Sequence, residues 1–200
     1  YGKPYMFYEN FDSGRLLRWK TAGGSWAIED RKLVQQESAP VKSFSLAGDA
    51  GWDNYAIRVD VNVSAGPPLS SPGVAFRFGD DGSHYECGVA NGNFELRKCV
   101  SSSCGTSLAT ILVTQQLAGW QPLYAKANGS QLECTLGTAG DAATVSFTEF
   151  SLPYGKPGLY AAGEARFDNF KVTRLPPLWA IVTPTPTPEP LVIFDEVFSA

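Results

Sequence analysis

The feature that most constrains this chain is an alternation of apolar and polar residues over positions 73–99, GVAFRFGDDGSHYECGVANGNFELRKC. Apolar side chains recur at every second residue in three runs, which are separated by Asp80-Asp81-Gly82 and Asn91-Gly92-Asn93. A period of two is the repeat of a β-strand whose two faces meet different surroundings. Asn-Gly between two such runs favours a tight hairpin, because both central residues of that turn need positive φ. The stretch therefore predicts three consecutive antiparallel strands with one buried face and one hydrated face.

The same alternation continues along most of the chain, and no stretch of about a dozen residues repeats its apolar positions at helical spacing. Loops rich in glycine and proline, such as Gly66-Pro67-Pro68, separate the runs. About thirteen short strands at regular spacing predict an all-β sandwich of two antiparallel sheets. Outside the central hairpins, strands are predicted at 5–11, 25–29, 32–36, 41–46, 54–63, 106–113, 121–127, 131–136, 142–147, 158–162 and 165–173.

The composition sets the size of the domain and excludes two classes of partner. The chain has 200 residues, 44% of them hydrophobic, which is enough for one domain with a substantial core. A net charge of -4 argues against nucleic acid, which requires a clustered basic face. No apolar run approaches the ~18 residues of a membrane span. The first residue is Tyr1 rather than Met, the pattern expected of a chain from which a targeting segment has been removed.

The four cysteines are predicted to form two disulfides. Cys87 and Cys134 both have the inward parity of their strands, so they are expected to pair in the core. Cys99 and Cys104 bracket the polar turn 100–103, which a second disulfide would close. The alternative is a zinc site, and the sequence lacks the CxxC pairs and the second histidine that such a site would use. Disulfides indicate an oxidising compartment, so we expect the chain to be extracellular or on the cell surface.

The composition changes towards the C-terminus. Alternating Thr-Pro at 183–190 predicts a stiff polyproline II spacer of about 3.1 Å per residue, and the segment LVIFDEVFSA that follows is strand-like again. The predicted domains are a β-sandwich at 1–175, a Pro/Thr-rich linker at 176–190 and a C-terminal strand at 191–200. The last segment either opens a further module or pairs with a sheet edge and builds a filament. The residues of that assembly strand would be Val192, Phe194, Val197 and Phe198.

The sequence resembles the concanavalin-like lectin and glucanase superfamily in three motifs, namely ENFDSG with GGSWAIEDRKLVQ, GVAFRFGDDGSHYECGV, and GLYAAGEARFDNFKV. The resemblance covers residues 5–173. The superfamily includes laminin-G-like domains, many carbohydrate-binding modules and a family described as 3-keto-disaccharide hydrolases. The resemblance implies a jelly-roll sandwich, and the composition after it indicates a Pro-rich C-terminal extension. Because its motifs are structural, it specifies the fold more closely than the function.

Charged residues on the predicted hydrated face suit a glycan. Arginine and carboxylate side chains bind hydroxyl groups through directed hydrogen bonds, and an aromatic ring can stack on a sugar. The alternative is a ladder of ion pairs that only keeps the face hydrated. We expect a non-catalytic carbohydrate-binding module with a glycan as its partner, and a filament subunit is the first alternative. The candidate ligand-binding residues are Arg58, Asp60, Arg77, Glu86, Arg97 and Trp120.

A glycoside-acting enzyme is the second alternative. The glucanase branch would be expected to carry its carboxylates as Glu-x-Asp-x-Glu on one strand, and this run does not occur. Glu86 and Glu95 lie on neighbouring predicted strands and form the nearest substitute for such a pair. Gly24-Ser25-Trp26 lacks the Gly-x-Ser-x-Gly pattern of a nucleophilic serine. No catalytic residue is therefore assigned.

The resemblance also implies a structural calcium ion. In related jelly-roll modules an acidic residue after the first strand and an aspartate in the last strand join backbone carbonyls around this ion. Asp12 and Asp168 stand at those positions, and Glu9 lies close to the first of them. Calcium accepts about six to eight oxygen ligands in a loose geometry. The alternative is that Asp12 and Asp168 only shape turns.

Two sequons for N-glycosylation occur, at Asn62 and Asn128. Asn128 precedes a glycine in a predicted hairpin turn. We therefore expect Asn128 to be the more accessible of the two.

Overall fold

A computed structural model describes residues 5–62, 71–113, 119–138 and 140–176. Within this part of the chain every regular element is a β-strand, as the alternation predicts, and no helix there is long and apolar enough to cross a membrane. In chain order the strands are β1 (Phe7–Glu9), β2 (Lys20–Ala22), β3 (Trp26–Glu29), β4 (Lys32–Gln35), β5 (Lys42–Leu46), β6 (Tyr55–Asn62), β7 (Gly73–Phe78), β8 (His84–Ala90), β9 (Asn93–Val100), β10 (Ser103–Leu112), β11 (Trp120–Asn128), β12 (Gln131–Leu136), β13 (Ala143–Thr148), β14 (Lys156–Ala162) and β15 (Ala165–Arg174).

The strands form two antiparallel sheets, here called sheet I and sheet II. Sheet I has the spatial order β13-β12-β11-β6-β15-β4-β3, with β1 also paired to β15. Sheet II has the order β10-β9-β8-β7-β14-β5-β2. Each sheet joins strands that are consecutive in the sequence to strands that are distant in it, such as β6 to β15 in sheet I and β7 to β14 in sheet II, and this interleaving is the topology of a jelly-roll sandwich. The predicted all-β, two-sheet fold is confirmed.

The core lies between the sheets and is built from the inward residues of both. Along β6, for example, Ile57 and Val59 are buried while Arg58 between them is exposed. The disulfide Cys87–Cys134 crosses the core from β8 to β12. The second disulfide joins β9 to β10 at Cys99 and Cys104 within sheet II. Both predicted pairings are confirmed.

A β-bulge interrupts β7 where it pairs with β14. Between Ala75 and Phe78 strand β7 has one residue more than its partner, and Arg77 in this interval has a φ of 50°. The extra residue reverses the alternation of faces. Phe78, which the alternation predicts to face the core, instead packs on the outer face of sheet II, 5.1 Å from the ring of Phe44 and 4.7 Å from that of His84. The predicted orientation of Phe78 was wrong.

One strand of the structure was not predicted, and some of the predicted segments lie outside the described residues. Strand β2 was not predicted, since its three residues are exposed and show no apolar alternation. The predicted linker at 176–190 lies outside the described residues except for Pro176, and so does the whole predicted C-terminal strand at 191–200. The assembly residues within that strand, Val192, Phe194, Val197 and Phe198, therefore lie outside them too.

Candidate functional site

The predicted ligand-binding residues do not form one face. Arg58, Asp60 and Trp120 lie on the outer face of sheet I, whereas Glu86 and Arg97 lie on the outer face of sheet II. The two groups are on opposite sides of the sandwich. Alternation shows which side of its own strand a residue takes, but it does not show in which sheet the strand lies. The prediction of a single face was therefore wrong.

Arg77 belongs to neither outer face. Its side chain is 1% exposed, and the guanidinium donates hydrogen bonds to three backbone carbonyl oxygens in separate loops. The acceptors are Asp53 at 3.0 and 3.2 Å, Gly129 at 2.9 Å and Leu152 at 3.1 Å. The backbone N–H of Arg77 also donates to the buried hydroxyl of Tyr55 at 2.6 Å. Burial lowers the pKa of Arg77. Arg77 therefore ties the loops at one end of the sandwich together, and its assignment to a glycan-binding face was wrong.

A groove of about 190 Å³ lies on the outer face of sheet II. Its floor is the buried side chain of Tyr160 on β14, which extends over Gly73 and Gly88, two cross-strand partners on β7 and β8. A Cβ atom at Gly73 would lie 2.4 Å from the Tyr160 ring, and one at Gly88 would lie 2.1 Å from its hydroxyl oxygen. The two glycines thus create the space for the tyrosine, since any larger residue would collide with it.

One wall of the groove is an ion pair between Glu86 on β8 and Lys42 on β5. The Lys42 ammonium lies 2.8 Å from both carboxylate oxygens and 5.3 Å from the centroid of the Tyr160 ring. Nε2 of the buried His84 faces the same carboxylate at 3.4 Å. Burial opposes ionisation of Glu86, but the contact with His84 and the charge of Lys42 outweigh it and hold the pKa of Glu86 below its usual value. Glu86 is therefore a fixed carboxylate at neutral pH.

The other wall is formed by Glu95 and Arg97 on β9. Arg97 pairs with the Glu95 carboxylate, which also accepts a hydrogen bond of 2.7 Å from the hydroxyl of Ser107 on β10. In the sheet register Glu95 lies beside Gly88, and Arg97 lies beside Glu86. The groove therefore presents two cations and two carboxylates, each in a fixed position, around one tyrosine.

Glu86 suits hydrogen bonding better than acid catalysis. A retaining glycosidase needs one carboxylic acid with a raised pKa, but the pKa of Glu86 is lowered. His84, Glu86, Cys99 and Cys104 place candidate metal ligands within 4.8 Å of one another, yet the two sulfurs form a disulfide and are not available as thiolates. The groove therefore offers hydrogen-bond donors and acceptors side by side.

The outer face of sheet I is a second, flatter candidate surface. Arg58 donates hydrogen bonds of 3.2 Å to the Tyr124 hydroxyl and to the Asp60 carboxylate. The bond with Tyr124 raises the pKa of Arg58. Trp120 is 41% exposed, and Lys32 lies 5.9 Å from the centroid of its ring. The structure thus brings Arg58 and Asp60 together and leaves Trp120 as a separate exposed ring.

The three predicted calcium ligands are not gathered into one ligand set. Glu9, Asp12 and Asp168 are absent from the one group of three or more potential metal ligands found in the described ranges. Each carboxylate is paired with a cation of the chain: Glu9 with Arg18 at 3.3 Å, Asp12 with Arg31 at 3.9 Å, and Asp168 with Lys32 at 2.7 Å.

The predicted glycosylation sites differ in exposure, and in the opposite sense to the expectation. Asn128 is buried at the end of β11, where it pairs with Gln131, and the turn is formed by Gly129 and Ser130. Asn62 is half-buried at the end of β6. The expectation that Asn128 is the more accessible was wrong.

Sequence reasoning did not identify Lys42 and Tyr160 as site residues. Both lie far along the chain from Glu86 and reach the groove only through the strand order of sheet II. A usable signal was present in Gly73 and Gly88, because glycine inside a strand often marks the close approach of another group.

Comparison with known proteins places the fold. No protein-family model matches the chain. Over 74 residues, or 36% of its length, the chain is 34% identical to an extracellular exo-alpha-L-arabinofuranosidase of Streptomyces chartreusis, and it covers only 9% of that enzyme. Among solved structures, carbohydrate-binding module CBM66 from Bacillus subtilis matches with a TM-score of 0.67 at 18% identity, over 78% of this chain and 95% of that one.

A second solved structure is the exoplasmic/lumenal domain of VIP36 in a Ca²⁺/Man3GlcNAc-bound form. It matches with a TM-score of 0.61 at 13% identity, over 81% of this chain and 86% of that one. Both likenesses cover most of the described sandwich. The chain therefore has the concanavalin-like jelly-roll fold, which confirms the fold that the sequence motifs imply.

Proposed function

We propose that this chain is an extracellular, non-catalytic carbohydrate-binding module whose glycan site is the groove on sheet II. The observation that carries the proposal is the convergence of Lys42, Glu86, Glu95 and Arg97 around Tyr160 in that groove. Sugar hydroxyls both donate and accept hydrogen bonds, so they can bridge a cation and its paired carboxylate. Hydrogen bonds to charged groups are also stronger than those between neutral groups.

The fold and the disulfides support the same proposal. A solved carbohydrate-binding module and a mannose-oligosaccharide-bound lumenal domain share the jelly roll of this chain. Two disulfides are typical of proteins in oxidising compartments, and the sequence relative is described as extracellular. The fold supports many functions, so the groove itself has to be tested.

The test compares the two outer faces with matched arginine substitutions. Binding of a panel of neutral polysaccharides, including arabinan, xylan, galactan and levan, is measured by affinity electrophoresis and then by calorimetry. Arg97→Ala should weaken binding about 10- to 100-fold, since a hydrogen bond to a charged group contributes about 1.5–3 kcal/mol. Arg58→Ala on sheet I is the control and should bind as the wild type does.

The opposite pattern has a clear meaning. If Arg58→Ala abolishes binding while Arg97→Ala retains it, the glycan site is the surface of Arg58, Asp60 and Trp120 on sheet I. If the folded wild-type protein binds no glycan in the panel or on a broad glycan array, the proposed function is wrong.

A structural calcium ion remains a prediction of the resemblance. Asp168 would have to exchange its contact with Lys32 for the ion. The ion would then appear as a rise in Tm on adding calcium that the Asp168→Asn variant lacks. At a hundredfold excess of calcium over Kd, the free energy of unfolding should rise by about 2.7 kcal/mol. A Tm unchanged by both calcium and chelator would rule it out.

A further inference from the structure

We propose that the groove on sheet II selects uncharged glycans, and that the two buried carboxylates Glu86 and Glu95 determine this selectivity. The inference rests on the proposed function, because it concerns the ligand of the same groove. It adds the chemical class of that ligand and names the residues that exclude its charged analogues.

The groove is charge-balanced at short range. Lys42 and Arg97 contribute two positive charges, and Glu86 and Glu95 contribute two negative charges. Burial, with a further contribution from the charge of Glu86, raises the pKa of Tyr160 well above its usual value, so the fifth group is neutral. The cations are not free to bind an anion, since each is already paired with a carboxylate.

The carboxylates lie beneath their cations. The Glu86 side chain is 3% exposed and that of Lys42 is 27% exposed; for Glu95 and Arg97 the fractions are 11% and 29%. Removing the partner of such a buried charge is costly, so the pairs are not expected to separate when a ligand arrives. A ligand therefore contacts the fixed N–H donors of Lys42 and Arg97, with the carboxylate acceptors of Glu86 and Glu95 directly behind them.

This arrangement treats a hydroxyl group and an anion differently. A hydroxyl can accept from Lys42 and donate to Glu86, whose oxygens lie 2.8 Å from the ammonium. A carboxylate or sulfate in the same place is attracted by the cation, but the carboxylate directly behind that cation repels it and offsets part of the attraction. It also loses hydration on entering the groove. Such uncompensated repulsion is a general means of excluding the wrong ligand.

The test removes one buried negative charge at a time without changing the size of the side chain. Glu86→Gln and Glu95→Gln are compared with Glu133→Gln, which makes the same change in net charge on an exposed residue of β12 in sheet I. The probes are the neutral panel described above and the acidic polymers polygalacturonate, alginate and dextran sulfate. Thermal melting confirms that each variant is folded.

The wild type should bind at least one neutral polymer and none of the acidic ones. Each groove variant should gain measurable binding to an acidic polymer at ~0.05 M salt, at least about tenfold above the detection limit that the wild type does not reach. The gain should disappear near 1 M salt, where the screening length falls to about 3 Å. Glu133→Gln should show no such gain.

The outcomes separate this inference from the proposed function. A wild type that binds acidic polymers as well as neutral ones overturns the charge selectivity and leaves glycan binding intact. The selectivity is also overturned if the wild type binds only neutral polymers and neither groove variant, both being folded, gains acidic binding. A wild type that binds no polymer of either kind overturns the proposed function, and the inference with it.

Discussion

Arg77 makes the sharpest prediction about stability, because its side chain serves three loops at once. The Arg77→Met substitution keeps a long side chain in the core and removes the guanidinium N–H donors, while the backbone N–H that donates to Tyr55 stays. The carbonyl oxygens of Asp53, Gly129 and Leu152 then lose four donor contacts of 2.9 to 3.2 Å. The loops before β6, between β11 and β12, and before β14 would lose their common anchor.

The magnitude follows from the three acceptors. A buried carbonyl left without a donor costs about 1–3 kcal/mol. Asp53 is exposed, and Gly129 and Leu152 are half-buried, so water can replace part of what is lost. Burial of the guanidinium charge is unfavourable, as the lowered pKa of Arg77 indicates, and methionine removes this cost. We therefore expect the free energy of unfolding to fall by about 3–4 kcal/mol, which for a domain of this size lowers Tm by about 10 °C.

Urea denaturation measures this difference, with Arg58→Met as the matched control. Arg58 lies on the open face of sheet I with its side chain 45% exposed, and its loss should cost no more than about 1 kcal/mol. Below Tm, Arg77→Met should bind glycan as the wild type does, since Arg77 does not line the groove. A loss of less than about 1 kcal/mol at unchanged m-value would mean that water already serves these carbonyls, and the anchoring role would be wrong.

Three further predictions concern the groove and the core. Gly88→Ala places a Cβ atom 2.1 Å from the hydroxyl oxygen of Tyr160, so it should abolish glycan binding and lower the free energy of unfolding by about 1–3 kcal/mol. In the control Gly105→Ala the nearest atom lies 4.0 Å from the new Cβ, and neither the calorimetric affinity nor the Tm should change. Replacing Cys87 and Cys134 by alanine should lower the free energy of unfolding by about 4 kcal/mol, because the disulfide closes a loop over a sequence separation of 47 residues and so reduces the entropy of the unfolded chain. An unchanged midpoint of the urea transition would contradict this. Because the pKa of Glu86 is lowered in the folded state, its contribution to stability is present above the unfolded-state pKa of about 4.3 and is lost as the pH falls through the folded-state pKa. The Tm of Glu86→Gln should therefore fall less than that of the wild type between about pH 5 and pH 3. Equal falls in Tm would refute the assignment.

The strands and disulfides could be predicted because their signals are local. Strand β12 was predicted at 131–136 and occupies those residues, since its apolar positions alternate without interruption. The Asn91-Gly92 turn has φ values of 51° and 76°, as its two residues indicate. Cys87 and Cys134 could be paired because both share the inward parity of strands that meet one core.

The site could not be predicted to the same extent, because it depends on strand order. Tyr160 and Lys42 meet Glu86 only because β14 lies between β5 and β7 in sheet II. The period-two rule also failed at Arg77, where one extra residue moved the side chain from the predicted hydrated face to the interior. Neither the strand order of sheet II nor the bulge at Arg77 can be predicted from the alternation within a single strand.

The choice between the two outer faces depends on how firmly each holds its charges. On sheet I the Arg58–Asp60 pair is half open to water, and an exposed pair of this kind contributes at most about 1 kcal/mol and rearranges readily. On sheet II the Glu86 carboxylate is almost fully buried and holds the Lys42 ammonium through both oxygens. Binding costs less when the contacting side chains are already fixed, because less rotamer freedom is lost on association. The groove on sheet II is therefore the better candidate for a site that distinguishes one sugar from another, because a ligand on sheet I would have to order the side chains that it contacts.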